Sequence, residues 1–350
     1  MSGWAGMKLF CRQGGTLPER GVGAAGGPLR AGAWSTWGAR APIPRGMETP
    51  PRAARPTAVP MFAPVPDLDV VAYDRLAKSV LGLLGIDLNQ YKPAQVWRRV
   101  SGFATARGLA SPDALVVNAR HDAVLKQAFL DMLTINVSEF FRNSEAWDQL
   151  VDKHLRAMLH DQLSVRIWSA GCSLGYEPFT LAMLARELAP NATVRILATD
   201  LDETTLSRAR KATYSEAQMA GVSEARRARF FRRVEEKAPS PAAPCPAAPS
   251  PALAAAAPAP AWEVKPELQA LVSFRRHDLL KDPYDRPFDL ICCRNVVIYF
   301  TETAKADLYR RFSAALRPGG ILFLGATESI PNTRAVDLEP AGLTFYRRPQ

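Results

Sequence analysis

Two glycines, Gly171 and Gly175, sit in the loop of "VRIWSAGCSLGYEPFTLAM", between an apolar run and a helical pattern that opens at Glu177 and Pro178. A glycine turn between strand and helix lets a ligand approach the backbone at the carboxyl edge of a parallel sheet. The spacing fits neither the G-x-G-x-x-G of dinucleotide sites nor the Gly-Lys-Ser/Thr ending of a phosphate loop. No Lys or Arg lies between Ser169 and Leu184, so pyrophosphate is not the expected ligand. Asp200 ends the next apolar run, "VRILATD", where a carboxylate can accept from both hydroxyls of a ribose. Asp278 in "RRHDLL" and Asn295 in "CCRNVVIYF" close two further runs. Plainer roles compete: Glu177 suits the positive end of a helix dipole, and the helix near Glu203 needs an N-cap, a role that fits Asp202 better than Asp200.

Acid, amide and glycines at one sheet edge fit a ribose and an adenine without phosphate, and S-adenosyl-L-methionine is such a ligand. The elements that must position them follow from periodicity. Strands are expected at 165–170, 194–199, 271–275, 288–293 and 320–324, with "LTFYRR" as an added edge strand. Helical runs at 177–188, 203–211 and 302–316 alternate with them, and strands apolar nearly throughout imply an α/β fold with a parallel sheet covered on both faces. Before them, "DLDVVAYDRLAKSVLGLLG", "KPAQVWRRVSGFATARG", "SPDALVVNAR" and "DAVLKQAFLDML" carry helical apolar spacing with plausible caps. Residues 67–150 thus form an expected small all-α domain and 151–350 an expected α/β domain.

Two segments lack such patterning. Residues 1–66 are rich in Gly, Pro, Ala and Arg and are expected to be a disordered basic extension. Residues 238–261 are Ala or Pro at 20 of 24 positions and are expected to be a disordered insertion that cannot pair in a sheet. The net charge of +10 is concentrated in the extension, where residues 1–60 hold seven Arg and one Lys against two acidic residues. The remainder is only weakly basic, which argues against a nucleic-acid partner. Five scattered cysteines without a C-x-x-C pair, and four histidines without an H-x-x-x-H pair, argue against disulfides and against a metal site. No apolar run approaches the roughly 20 residues needed to span a bilayer, so a cytoplasmic protein with no membrane insertion is expected.

"TINVSEFFRN", "WSAGCSLGYEPFTLAM", "LATDLDETTLSRAR", "FDLICCRNVVIYF" and "LRPGGILFLGATES" follow one another in the order and spacing of the CheR family, the chemotaxis receptor methyltransferases, which this chain resembles from about residue 68 to 347. The resemblance implies a class I S-adenosylmethionine-dependent methyltransferase, with a Rossmann-like, parallel-dominated sheet and an all-α N-terminal domain. It implies O-methylation of glutamates on the cytoplasmic domain of a chemoreceptor. It further implies that Asn136, Ser138 and Arg142 reach the cofactor from the domain junction, that Gly171 and Glu177 lie near it, and that Asp200 holds its ribose. Asp278 with Leu279, and Asn295 with Val296, would frame the adenine and the methionine portion, while Arg142 and Tyr299 would lie nearest the transferred methyl. The "EFF" of the first motif reads equally well as plain core.

The chain departs from the family at Leu174, usually Thr, and Tyr176, usually Glu, and at Ile135 and Ala326, where polar residues are commoner. A lost loop hydroxyl at Leu174 is expected to weaken the cofactor pocket, which makes a cofactor-binding signalling module with little catalysis the alternative reading. The [DN]-P-P-[YF] loop of many nucleic-acid methyltransferases is absent, with "RNVVIY" in its place. The region that forms a small β subdomain in some relatives, where a receptor tail peptide docks, holds the Ala/Pro insertion here, which leaves that docking open.

Overall fold

A computed structural model describes residues 68–134, 138–235, 260–285 and 287–350. The extension 1–66, most of the insertion, and Ile135 and Asn136 lie outside the described residues.

Four helices come first: α1 (Val70–Leu84), α2 (Pro93–Ala106), α3 (Pro112–His121) and α4 (Ala123–Thr134). Their ends have local causes. The Asp69 side chain accepts from Ala72 N–H at the start of α1, and Gly85 closes that helix in the left-handed region at φ 75°. Pro93 occupies the first turn of α2, where its missing N–H costs nothing. Leu76, Val80, Val100, Leu115 and Phe129 form the interior of this layer. α5 (Ser144–Leu150), a π-helical turn at Val151–Leu155 and α6 (Arg156–Asp161) then run on without a break. The boundary expected at residue 150 falls inside this stretch. Trp147, Leu150, Leu155 and Met158 pack in the core under the sheet, so α5 and α6 belong to the α/β part and the helical layer ends with α4.

The α/β part continues through β1 (Ser164–Ala170), α7 (Tyr176–Leu188), β2 (Thr193–Asp200), α8 (Glu203–Lys211), β3 (Thr213–Ser215), α9 (Glu224–Phe230), β4 (Phe231–Glu235), β5 (Pro260–Val264), α10 (Pro266–Gln269), β6 (Val272–Arg276), β7 (Phe288–Cys293), α11 (Glu302–Ala315), β8 (Leu316–Leu324), β9 (Glu339–Pro340) and β10 (Phe345–Arg347). The main sheet has the order β6-β2-β1-β7-β8-β10-β9, parallel from β6 to β8 and antiparallel beyond. The order reverses between β1 and β7, and the crevice beyond that switch point is where open α/β sheets take ligands. Every residue of β7 is buried, as a strand covered on both faces requires.

Two expectations are corrected. "LTFYRR" is not at the edge: β10 lies between β8 and the two-residue β9. The end of the Ala/Pro insertion does pair in a sheet. Pro260 and Ala261 open β5, the central strand of a second sheet ordered β3-β5-β4. Pro is tolerated there because it is the first residue of the strand. The small β subdomain is therefore formed, and the remainder of the insertion links β4 to β5.

Candidate functional site

Beyond the carboxyl ends of β1, β2, β6 and β7 lies a cleft lined by residues of all four strand ends and of the helical layer. Its first wall is the turn after β1. Gly171 and Cys172 both donate backbone N–H groups to the Thr199 carbonyl, at 2.8 and 2.9 Å, which ties the turn to β2. Gly171 has φ 82°, and a Cβ there would meet Val296 Cγ2 at 2.5 Å, so only glycine fits. Ser173 N–H then donates to Asp200 Oδ2 at 2.8 Å, and Asp202 N–H donates to Asp200 Oδ1 at 3.1 Å. Asp202 itself caps α8 by accepting from Thr204 N–H at 2.9 Å. The two acids thus divide the work, and Asp200 faces the cleft.

Glu177 stands in the first turn of α7. Its Oε1 accepts from Ser169 Oγ at 2.8 Å, and its Oε2 lies 3.8 Å from Arg294 Nη1. The Arg294 side chain, only 3% exposed, sits 4.8 Å from the Trp147 ring and 4.7 Å from the Phe323 ring and donates from Nη2 to the Arg142 carbonyl at 2.7 Å. Past β7, Asn295 adopts φ 60°. That conformation is held by Glu328, which accepts from the N–H groups of Asn295, Val297 and Gly325 at 2.9, 3.0 and 2.7 Å. Past β6, Asp278 Oδ1 accepts from Leu280 N–H at 2.9 Å, which shapes the turn that presents Leu279.

Burial sets the electrostatics. It pushes the carboxyls of Glu177, Asp200 and Glu328 above their ordinary range. Arg294 and Ser169 oppose the shift at Glu177, and backbone N–H groups oppose it at Asp200 and Glu328. Burial also lowers the Arg294 guanidinium, which nonetheless stays charged. Glu139, Glu177, Asp200 and Asp278 thus give the cleft four acids against Arg142 and Arg294, a balance that suits a ligand carrying positive charge.

Ser138, Arg142, Gly171, Glu177, Asp200, Asp278, Leu279, Asn295, Val296 and Tyr299 all line this one cleft, and Asn136 lies outside the described residues. Phe140 and Phe141 are core, Phe140 meeting Tyr176 and Tyr214 edge-to-face at 4.9 and 4.8 Å. Neither Leu174 nor Tyr176 lines the cleft. Tyr176 is 3% exposed in that aromatic cluster, and Leu174, partly buried, packs against the same core. Sequence reasoning passed over Arg294, Glu328, Ser173, Trp147 and Tyr91. Arg294 adjoins a named motif residue and breaks an apolar strand end, the one signal that pointed to it.

The residues present fit S-adenosylmethionine. Asp200 presents a carboxylate to the cleft at the end of β2, where an acid suits ribose hydroxyls, Glu177 and its ion pair suit an amino-acid end that carries both charges, and the glycine turn gives close backbone approach without a phosphate-binding cation. Comparison with known proteins agrees. Residues 72–134 match the CheR methyltransferase all-alpha domain, and residues 136–240 and 252–343 match its SAM binding domain. The chain is 37% identical over 285 residues to the chemotaxis protein methyltransferase of Listeria monocytogenes, covering 81% of this chain and 98% of that protein. It is 32% identical over 260 residues to chemotaxis protein methyltransferase 1 of Pseudomonas aeruginosa, covering 71% and 86%. A helical layer, a seven-stranded sheet with its switch point, and an acid-lined cleft without a phosphate loop thus coincide with both matched domains, and the chain belongs to the CheR methyltransferase family.

Proposed function

We propose that the protein methylates glutamate side chains on the cytoplasmic helices of chemoreceptors, with S-adenosyl-L-methionine as donor. The observation that carries this reading is a cofactor cleft rimmed by Arg142 and Tyr299, in which the histidine of the wall, among the described residues, is buried. His277, the one histidine in the wall, is 4% exposed and has its Nε2 against the Pro283 carbonyl at 3.2 Å. A glutamate carboxylate has a pKa of roughly 4.3, so it arrives ionised and needs no base. When bound, the cofactor supplies an electrophilic methyl on a cationic sulfur. The chain's task is to align a carboxylate with that methyl and to keep water away. Arg142 fits the first part, because a guanidinium fork matches two carboxylate oxygens. Tyr299 is fixed by the helical layer: its carbonyl accepts from Lys92 N–H at 2.9 Å, and Arg99 lies 5.8 Å from its ring centroid. Its ring therefore closes the rim from a defined position.

The names of the relatives support a chemotaxis substrate. Among the described residues no helix is long and apolar enough to cross a membrane. Leu174 and Tyr176, the departures that motivate a non-catalytic module, both stand outside the lining of the cleft. The test is methyl transfer from labelled S-adenosylmethionine to a purified receptor cytoplasmic fragment. Base-labile methanol release is expected, and cofactor binding without any such ester would refute the reading.

Two further outcomes are expected. Asp200→Asn should weaken binding of S-adenosylhomocysteine about 10-fold or more while leaving transfer at saturating cofactor near wild type, because the ribose acceptor is lost and the reacting groups are untouched. An unchanged dissociation constant by calorimetry would remove Asp200 from the ribose. The second concerns pH. Because burial raises the Glu177 carboxyl, it gives up its proton at higher pH than a free carboxyl does, and a ligand with an ammonium group binds better once it ionises. Affinity should therefore rise with pH through the raised carboxylate range and then level off, with a flatter profile in Glu177→Gln. The stability of the ligand-free protein should run the other way. A carboxyl raised by folding contributes most below its unfolded pKa and loses that contribution as pH rises. Calorimetry between about pH 5 and 8, paired with thermal melts, reads both slopes.

A further inference from the structure

Tyr91 belongs to the helical layer, yet it lines the cleft of the α/β part. It follows the 3-10 turn Leu88–Gln90 and pairs with Phe300 in an isolated antiparallel bridge. The bridge is closed by two backbone hydrogen bonds of 2.9 Å, Lys92 N–H to the Tyr299 carbonyl and Thr301 N–H to the Gln90 carbonyl. Residues directly opposite on such a pair project to the same side. The Tyr91 and Phe300 rings accordingly meet edge-to-face, with centroids 5.0 Å apart at 80°, and both line the cleft. The segment is held from behind as well: Asp87 accepts from Asn89 N–H at 3.1 Å, and Lys281 Nζ donates to the Gly85 carbonyl.

The Tyr91 hydroxyl makes no hydrogen bond among the described residues. Burial first, then Asp278 and Asp200, push its ionisation above the ordinary phenol range, so at neutral pH it is an O–H donor. A rigidly held aromatic face carrying an unused donor, on the side of the cleft where Asp200 and Asp278 stand, is suited to a ligand that is flat and rich in acceptors.

We propose that Tyr91 is a cofactor-contacting residue supplied by the helical domain: its ring walls, and its hydroxyl donates a hydrogen bond to, the adenosine half of S-adenosylmethionine. The proposal rests on reading the cleft as the cofactor site with Asp200 at the ribose. It makes cofactor affinity depend on the Leu88–Lys92 segment staying docked against Tyr299–Thr301, and so links the helical layer to the donor site.

The test compares two ligands by calorimetry on the full chain. S-adenosylhomocysteine carries both halves of the cofactor, and 5′-methylthioadenosine carries the adenosine half without the amino acid. Wild-type binding of both, measured first, tests the underlying reading separately. Tyr91→Phe is then expected to weaken both ligands by the same factor, about 3- to 10-fold for one hydrogen bond, with an unchanged melting temperature of the ligand-free protein. Glu177→Gln should weaken only S-adenosylhomocysteine. An unchanged methylthioadenosine affinity in Tyr91→Phe, or a loss confined to S-adenosylhomocysteine, would overturn the proposal.

Discussion

Replacing Arg142 with alanine is expected to slow methyl transfer to a receptor fragment by about 100-fold while moving the melting temperature little. The size follows from what misplacing a reacting group costs: without a fork to orient the carboxylate, the in-line geometry is populated only rarely. Two of the bonds that hold this segment are made by the backbone of Arg142, which the substitution leaves in place. Its carbonyl accepts from Arg294 Nη2 at 2.7 Å and from Trp147 Nε1 at 3.0 Å, and both bonds survive truncation of the side chain. The loss should appear in kcat more than in the apparent affinity for cofactor, and Arg142→Lys should recover only part of it, because a point charge does not reproduce the planar fork. Near-wild-type turnover of Arg142→Ala by labelled methyl transfer would take the residue out of the proposed machinery.

Sequence reasoning reached this cleft through residues whose signal is local. Gly171 and Gly175 interrupt an apolar pattern, and Asp200, Asp278 and Asn295 each follow an apolar strand, so a parallel sheet must bring their backbones to one edge. The residues that hold them are different in kind. Glu328 matters because three N–H groups from two separate turns converge on it, and Tyr91 because a bridge from another layer delivers it. Neither leaves a periodicity or a motif of its own. The small sheet escaped for a related reason. β3 has three residues and β4 and β5 five each, too short for alternation to register, and the insertion separates two strands that pair. Leu174 and Tyr176 show the reverse case: each departs from a motif, yet Tyr176 is buried in the core and Leu174 packs, partly buried, against it.

Arg294 should have the largest effect on the protein as a whole. Arg294→Ala leaves Glu177 buried without its counter-charge, a type of change that costs about 3–5 kcal/mol. It also removes the guanidinium from between the Trp147 and Phe323 rings and from the Arg142 carbonyl. Glu177, already raised by burial, would then hold its proton to higher pH, so cofactor affinity should fall at neutral pH and recover as the solution is made more basic. A double replacement separates the two roles of the pair. Glu177→Gln combined with Arg294→Met has no buried charge at this position and keeps most of the apolar packing, so its melting temperature should lie above that of Arg294→Ala alone. Its affinity for S-adenosylhomocysteine should stay low and nearly independent of pH, because the acid that faces the ammonium is gone. If the double variant is no more stable than Arg294→Ala, the stability of this region does not depend on the ion pair. A pair that is dispensable for folding yet required for binding is the arrangement expected where a buried charge serves the ligand, since well-packed apolar groups would stabilise the same space at least as well.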